Sequence, residues 1–154
     1  MSEPLLEHPF VAGLPHAAEL AGRARRTEFP PGARLFEEGD EADRFWLIQT
    51  GKVALDLHVP GREDVVIETL GDGEVLGWSW LFPPYRWHFG ARAVADTHAV
   101  EFDGQAVRAV CDADPTLGYA LTRRFLGVML DRLQSTRIRL LDLYAADQIG
   151  GIPS

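Results

Sequence analysis

The chain has 154 residues, 46% of them apolar and 25% charged, which suits one domain with a sizeable core and argues against wholesale disorder. Its 15 Lys and Arg are outnumbered by 23 Asp and Glu, giving a net charge of −8, so the concentrated positive face that nucleic acid demands is not expected. A single cysteine, Cys111, excludes an intrachain disulfide, a cysteine-ligated iron–sulfur cluster and a cysteine-rich zinc site.

The N-terminus has neither a basic nor an apolar leader region, and no apolar run approaches the roughly 20 residues of a membrane span. A cytoplasmic protein with no membrane partner is therefore expected. Phe10, Leu14, Ala17, Ala18 and Leu20 recur at helical spacing, interrupted by Gly13 and Pro15, so residues 1–28 are expected to form a helical segment of one or two short helices. Phe29-Pro-Pro-Gly then breaks the helix.

From Phe29 to Phe102 the pattern changes to a two-residue period. Val53, Leu55, Leu57 and Val59 point one way, and Lys52, Ala54, Asp56 and His58 the other. Val65, Ile67 and Thr69 repeat the alternation after a Pro60-Gly61 turn. Thr97, Ala99 and Glu101 oppose His98, Val100 and Phe102. Gly71-Asp72-Gly73 reads as a hairpin turn. Several short strands with Gly or Pro at their junctions predict a closed or nearly closed antiparallel sheet over 29–102, a β-roll or jelly-roll barrel. The fold class is thus mainly β with flanking helices.

A short helix is expected from Asp103 to about Asp112, with Val107 and Val110 inward. Pro115 suits the first turn of the next helix, where its missing N–H is harmless. With no further proline until Pro153, that helix can run to about Tyr144, some 45 Å at 1.5 Å per residue. It is apolar all round at first (Leu117, Tyr119, Leu121, Phe125, Leu126, Val128, Met129, Leu130). It then narrows to a stripe of Leu133, Leu140, Leu141 and Tyr144 among Arg132, Arg137 and Arg139. An all-round apolar helix needs two covering surfaces; a homodimer through helix 115–144 supplies the second, and folding back on the N-terminal segment is the alternative. Residues 145–154 are expected to form a flexible tail.

With these parts in place the chain resembles the cyclic nucleotide-binding domain of the catabolite activator (Crp/Fnr-like) family, from about His8 to Tyr144. The resemblance is carried by Phe29-Pro-Pro-Gly-Ala-Arg-Leu-Phe-Glu-Glu-Gly-Asp, Ala42-Asp43, Phe45-Trp46-Leu47-Ile48, Gly51-Lys-Val, Arg92-Ala93 and Arg132-Leu133-Gln134. It implies a ligand-binding cassette of Gly-Glu, a small helix, then Arg and a hydroxyl residue. There the Glu would accept from a ribose hydroxyl and the Arg would pair with a cyclic phosphate. Here Gly77 matches, Trp78 stands at the Glu position, and, counting back from Arg92-Ala93, Trp87 takes the Arg position and His88 the hydroxyl position. Charge-assisted hydrogen bonds contribute about 1.5–3 kcal/mol each, so ordinary micromolar binding of cAMP or cGMP is not expected.

Two readings of the ring cluster Trp78, Trp80, Tyr85, Trp87, His88 and Phe89 follow. A remodelled pocket would take a flatter ligand, with Arg86 and His88 as polar contacts. A self-filled pocket would leave a protein-interaction module. Arg86 would rescue cAMP or cGMP binding only if the loop slipped by one residue. Ser79 is expected to cap the small helix. Thr136 matches a position from which the family's long helix touches the base, and Arg137 would reach a ligand from the partner subunit. The candidate ligand-binding residues are therefore Gly77, Trp78, Ser79, Trp80, Arg86, Trp87, His88, Thr136 and Arg137.

No catalytic residue or metal ligand is assigned, and the sequence requires no cofactor. A metal-dependent cupin-like enzyme would want a His-x-His pair, and the five histidines contain none; a haem sensor using His88 stands against the commoner structural role of a lone histidine. In the family's transcription factors a helix-turn-helix follows the long helix. Only about ten residues follow it here, so DNA binding of that kind is not expected. Output to a partner protein is the implied alternative.

Overall fold

The computed structural model describes the backbone of residues 2–150 and the side chains of residues 5–145. Two compact units divide the chain, Met1–Ala120 and Leu121–Ser154. The first contains helices α1 (Ser2–Glu7) and α2 (Ala18–Ala21), then strands β1 (Ala24–Phe29), β2 (Arg34–Phe36), β3 (Arg44–Thr50), β4 (Val53–Leu57), β5 (Val65–Leu70) and β6 (Val75–Leu76). A 3-10 turn (Ser79–Leu81) precedes β7 (Gly90–Ala93), β8 (Thr97–Asp103), α3 (Gly104–Ala113) and the start of α4 (Pro115–Gly150).

The strands form two four-stranded antiparallel sheets, ordered β1-β8-β3-β6 and β2-β7-β4-β5. This is the expected jelly-roll class, but the sheets are not closed into a barrel. The reason is connectivity: almost every turn carries the chain from one sheet to the other, so β1, β6, β2 and β5 remain as edges. The Gly71–Gly73 segment is one such crossing. It joins β5 to β6 in different sheets, so it is a corner and not the hairpin turn read from sequence. Among the described residues only β4 and β5 meet as a hairpin, through a turn in which Arg62 N–H donates to Val59 C=O at 3.0 Å with Gly61 at φ 77°.

The first strand is a second correction. Residues 24–29 pair with β8 from Ala24↔Phe102 to Phe29↔Thr97, so Phe29-Pro-Pro-Gly ends a strand and not a helix. As an edge strand rich in charge (Arg25, Arg26, Glu28), β1 hides its alternation. In the turn that follows, Ala33 N–H reaches Pro30 C=O at 3.1 Å, with Gly32 at φ 91°. Proline then glycine at the central positions is the combination a type II turn requires.

The centre of the β1-β8-β3-β6 sheet, residues 45–48 of β3 and 99–102 of β8, is buried on both faces, which simple alternation did not reveal. Trp46 and Ile48 face the opposite sheet, among Phe36, Val53, Leu55, Leu70, Leu76, Ala91 and Ala99. Phe45 and Phe102 face the other way, their rings stacked at 4.8 Å. Helix α3 belongs to the same side: its N-cap Asp103 accepts from Ala106 N–H at 2.9 Å, and Val107 and Val110 are buried. Burial on both faces is the situation in which strands read as near-continuous apolar runs.

In the second sheet Asp56 lies opposite Val53 and Leu55, as read from sequence, but is only 4% exposed. Arg34 covers it, with Nη1 2.6 Å from Oδ2 and Nη2 3.1 Å from Oδ1, while Glu37 takes the same guanidinium at 2.8 and 3.1 Å. These bonds hold the Arg34 guanidinium charged well above its ordinary range. Gly90 makes room for the pair: a Cβ there would lie 2.5 Å from Asp56 Oδ1 and overlap the guanidinium.

The second unit is helical. Helix α4 continues to Gly150, beyond the expected end near Tyr144, because Ala145, Ala146 and Gln148 favour helix and nothing before Pro153 interrupts it. Residues 145–150 of the expected flexible tail are therefore helical, and 151–154 lie outside the described residues.

Candidate functional site

The cassette identified in the sequence runs from the end of β6 into β7. Gly77 adopts φ 100°, a conformation that disfavours side chains. A Cβ at Gly77 would also sit 2.8 Å from Cη2 of Trp87. Trp78 follows, half-buried, its indole edge-on to Phe89 at 6.2 Å. Ser79 does not cap the short helix, contrary to expectation: Trp78 occupies the N-cap position and no side chain caps it. The Ser79 hydroxyl is buried without a hydrogen-bond partner among the described residues.

Trp80 is fully buried, but on the helix-facing side of the first sheet. Its ring stacks on Phe45 at 4.7 Å, its Nε1–H donates to Gly77 C=O at 3.2 Å, and its Cβ is the near neighbour of Gly104. It is core there, separated by the sheet from the space where Trp87 lies. Arg108 of α3 fixes the same stretch, donating to Trp80 C=O and lying 4.4 Å over the Tyr85 ring.

Residues 85–87 are then pinned by backbone bonds to the 39–42 loop. Ala42 N–H donates to Tyr85 C=O at 2.7 Å, Gly39 N–H to Trp87 C=O at 2.8 Å, and Trp87 N–H to Asp40 C=O at 3.0 Å. In extended chain the side chains alternate, and a one-residue slip exchanges the faces. This register sends Trp87 inward and leaves Arg86 and His88 exposed. Arg86 Nη1 contacts Gly39 C=O at 3.4 Å on the outside, so the slip that would let Arg86 serve a phosphate would break all three bonds.

Trp87, 3% exposed, fills the space between the sheets. Its ring stacks on Phe36 at 3.9 Å and 13°, and lies 6.2 Å from Trp46. Phe36 also stacks on Trp46 at 5.7 Å and meets Phe89 at 6.0 Å. Sequence reasoning named Trp87 but missed Phe36 and Trp46 as its partners. Their contact rests on long-range strand pairing that no local pattern encodes.

A polar network adjoins the stack. Trp46 Nε1–H donates to Glu101 Oε1 at 2.9 Å, and the same carboxylate accepts from Arg25 and, at 3.5 Å, from Arg44. Burial works against the charge on Arg44, but Asp43 and Glu101 more than offset it and raise its pKa. A cavity of about 300 Å³ opens beside them, lined by Arg23, Arg25, Arg44, Asp43, Glu101 and Asp103 among others. Three guanidiniums face three carboxylates, so the cavity is internally compensated.

Thr136 and Arg137 lie exposed on α4 in the second unit. Among the described residues no group of three or more His, Cys, Asp or Glu side chains is placed to hold a metal ion. No helix of the described residues is long and apolar enough to cross a membrane.

Residues 26–114, more than half of the chain, match the family described as "Cyclic nucleotide-binding domain". A CRP-like cAMP-activated global transcriptional regulator of Mycobacterium tuberculosis (strain CDC 1551 / Oshkosh) is 27% identical over 135 residues, covering 88% of this chain and 58% of that protein. The HTH-type transcriptional regulator Cmr of the same strain is 27% identical over 124 residues, covering 80% of this chain and 49% of its own. The chain thus spans about half to three-fifths of these relatives. Among solved structures, a cyclic nucleotide-binding domain from Methylobacillus flagellatus KT superposes with a TM-score of 0.79 at 22% identity, over 91% of this chain and 82% of that one. The catabolite activator protein of Thermus thermophilus gives 0.69 at 24% identity, over 89% and 63%. Matched by sequence over its strands and by shape over most of its length, the chain belongs to the cyclic nucleotide-binding domain family.

Proposed function

We propose that this chain is a non-enzymatic regulatory domain in which aromatic side chains take the place of a cyclic nucleotide, with output through protein–protein contact along α4. One observation carries the first half of this reading: Trp87 lies inside the sandwich, stacked 3.9 Å from Phe36 and in contact range of Gly77. The position that would supply a phosphate-binding guanidinium supplies an indole instead, and the position that would supply a carboxylate holds Trp78. The two relatives above are regulators by their descriptions, which supports the regulatory role.

The test is a thermal shift and calorimetric titration with cAMP and cGMP. A ligand at about 1,000 times its Kd adds about 4 kcal/mol, which would raise Tm by many degrees. The expected result at millimolar nucleotide is a shift below about 1 °C. A shift of several degrees with saturable heat would overturn the reading.

The second half rests on α4 itself. Leu126, Leu133 and Leu140 recur every seven residues at 52%, 64% and 61% exposure, with Met129, Thr136 and Leu143 as the companion row. This a/d pattern is what a two-stranded coiled coil needs, and it places Thr136 in the seam and Arg137 on its flank. In sedimentation at micromolar concentration the chain is expected at twice its 17.1 kDa mass. The double variant Leu133→Glu/Leu140→Glu is expected to sediment as a monomer while the β-sandwich keeps its melting transition. A wild-type monomer would remove the dimer from the proposal.

A further inference from the structure

His8 is bonded at both ring nitrogens, Nδ1 within the N-terminal segment and Nε2 to the β-sandwich. It is 5% exposed. Its Nδ1 receives the backbone N–H of Phe10 at 3.1 Å, and its Nε2 lies 2.9 Å from Ile48 C=O in β3. A backbone amide can only donate, so Nδ1 is the acceptor and the ring proton sits on Nε2. The Ile48 carbonyl also accepts from Gly73 N–H at 2.9 Å, so the histidine joins the segment to β3 and to the 71–73 corner together. A Cβ at Gly73 would lie 3.3 Å from Pro9, which shows how closely the segment follows that corner. Leu5, Phe10, Val11 and Leu14 around it are buried.

We propose that His8 is a proton-operated latch, holding residues 5–14 against β3 and the 71–73 corner while its ring is neutral and releasing them when it is protonated. A proton on Nδ1 would face the Phe10 N–H head-on, turning an acceptor into a second donor in a buried place. No carboxylate is bonded to the His8 ring among the described residues. Glu7 and Asp72 line the adjoining depression; Asp72 Oδ1 accepts from Gly51 N–H at 2.8 Å and Glu74 Oε2 from Gly71 N–H. From β3 the neighbours are the Ile48 carbonyl and the uncharged Gln49. Burial depresses the His8 pKa below its ordinary 6.5, and the bond to Ile48 opposes this only in part. The sign follows: with a folded pKa below the released value, the latch is fully closed above about pH 6.5 and loosens as pH falls from there towards the folded pKa.

Amide hydrogen exchange, corrected for intrinsic rates, tests this at about pH 7.5 and about pH 5. Protection of the Phe10 amide is expected to fall about tenfold or more at the lower pH, with the Leu47 amide of β3 unchanged. In His8→Gln, which can donate to Ile48 but cannot titrate, Phe10 protection is expected to be independent of pH. In His16→Gln, which removes the nearby imidazole paired with Asp114, the drop is expected to persist. Equal Phe10 protection at the two pH values, or a parallel loss at Leu47, would overturn the latch. If His8→Gln does not fold, the wild-type ring titration decides: its midpoint must coincide with the loss of Phe10 protection, and a separate midpoint overturns the proposal.

Discussion

Trp87→Ala is expected to lower the stability of the β-sandwich by about 3–5 kcal/mol, the range for removing a large buried aromatic side chain. The indole is 3% exposed, lies against Phe36 at 3.9 Å and Trp46 at 6.2 Å, and presses on the Cβ-less face of Gly77. These neighbours belong to three different segments, each held by its own backbone bonds, so the gap has little freedom to collapse. The cost therefore includes an empty space as well as lost transfer energy. Urea unfolding at an unchanged m-value measures it. Trp87→Phe, which keeps a ring on Phe36, is expected to cost less than half as much. An apolar space of that shape also takes up small aromatics, so indole added to Trp87→Ala is expected to recover part of the loss. A cost below about 1 kcal/mol for the alanine variant would mean that the ring is not packed between the sheets.

Gly51→Ala is the second large expected effect, and Gly61→Ala is its control. Both glycines have positive φ, 122° and 77°, so both alanines incur backbone strain of about 1–2 kcal/mol. Nothing lies within 4 Å of a Cβ at Gly61, whereas at Gly51 it would stand 2.6 Å from Thr97 Cα and 2.7 Å from Asp96 C=O. Those are backbone atoms at the start of β8, and they cannot swing aside as a flexible side chain could. Gly61→Ala is thus expected to cost about 1–2 kcal/mol. Gly51→Ala is expected to cost at least about 2 kcal/mol more, or to leave no folded protein. Equal denaturation midpoints for the two variants would refute the close approach of the turn to β8.

The sequence made much of this legible because turn chemistry and periodicity are local. Pro60-Gly61 marks a hairpin and Pro31-Gly32 a turn, and both glycines need their positive φ. The alternation around Val53–Leu57 is a real strand, and Pro115 does open a long helix. What sequence could not give was the partner of each face. A two-residue period says that Phe45 and Trp46 point apart, but not that helices cover one side and a second sheet the other. The alternation set Asp56 opposite Val53 and Leu55 but gave no sign of its cover, Arg34, 22 positions away. The jelly-roll class was legible but the absence of closure was not: Gly71-Asp-Gly73 has hairpin composition, and only long-range pairing reveals that it changes sheets. At the site, counting back from Arg92 singled out Trp87, which lies buried between the sheets. Its inward aim depended on three backbone bonds to the 39–42 loop, which carry no signature in side-chain identity.

The aromatic stack also bears on descent. On the proposed reading, an ancestor holding a sugar-phosphate could not be regained by one codon change at position 87. A guanidinium placed there would enter a dry space walled by Phe36, Trp46 and Phe89, and an uncompensated buried cation costs several kcal/mol. Position 78 would have to change in concert, and a ligand would have to be present to neutralise the newcomer. On that reading each single step back leaves a buried charge without its partner, so return is harder than departure.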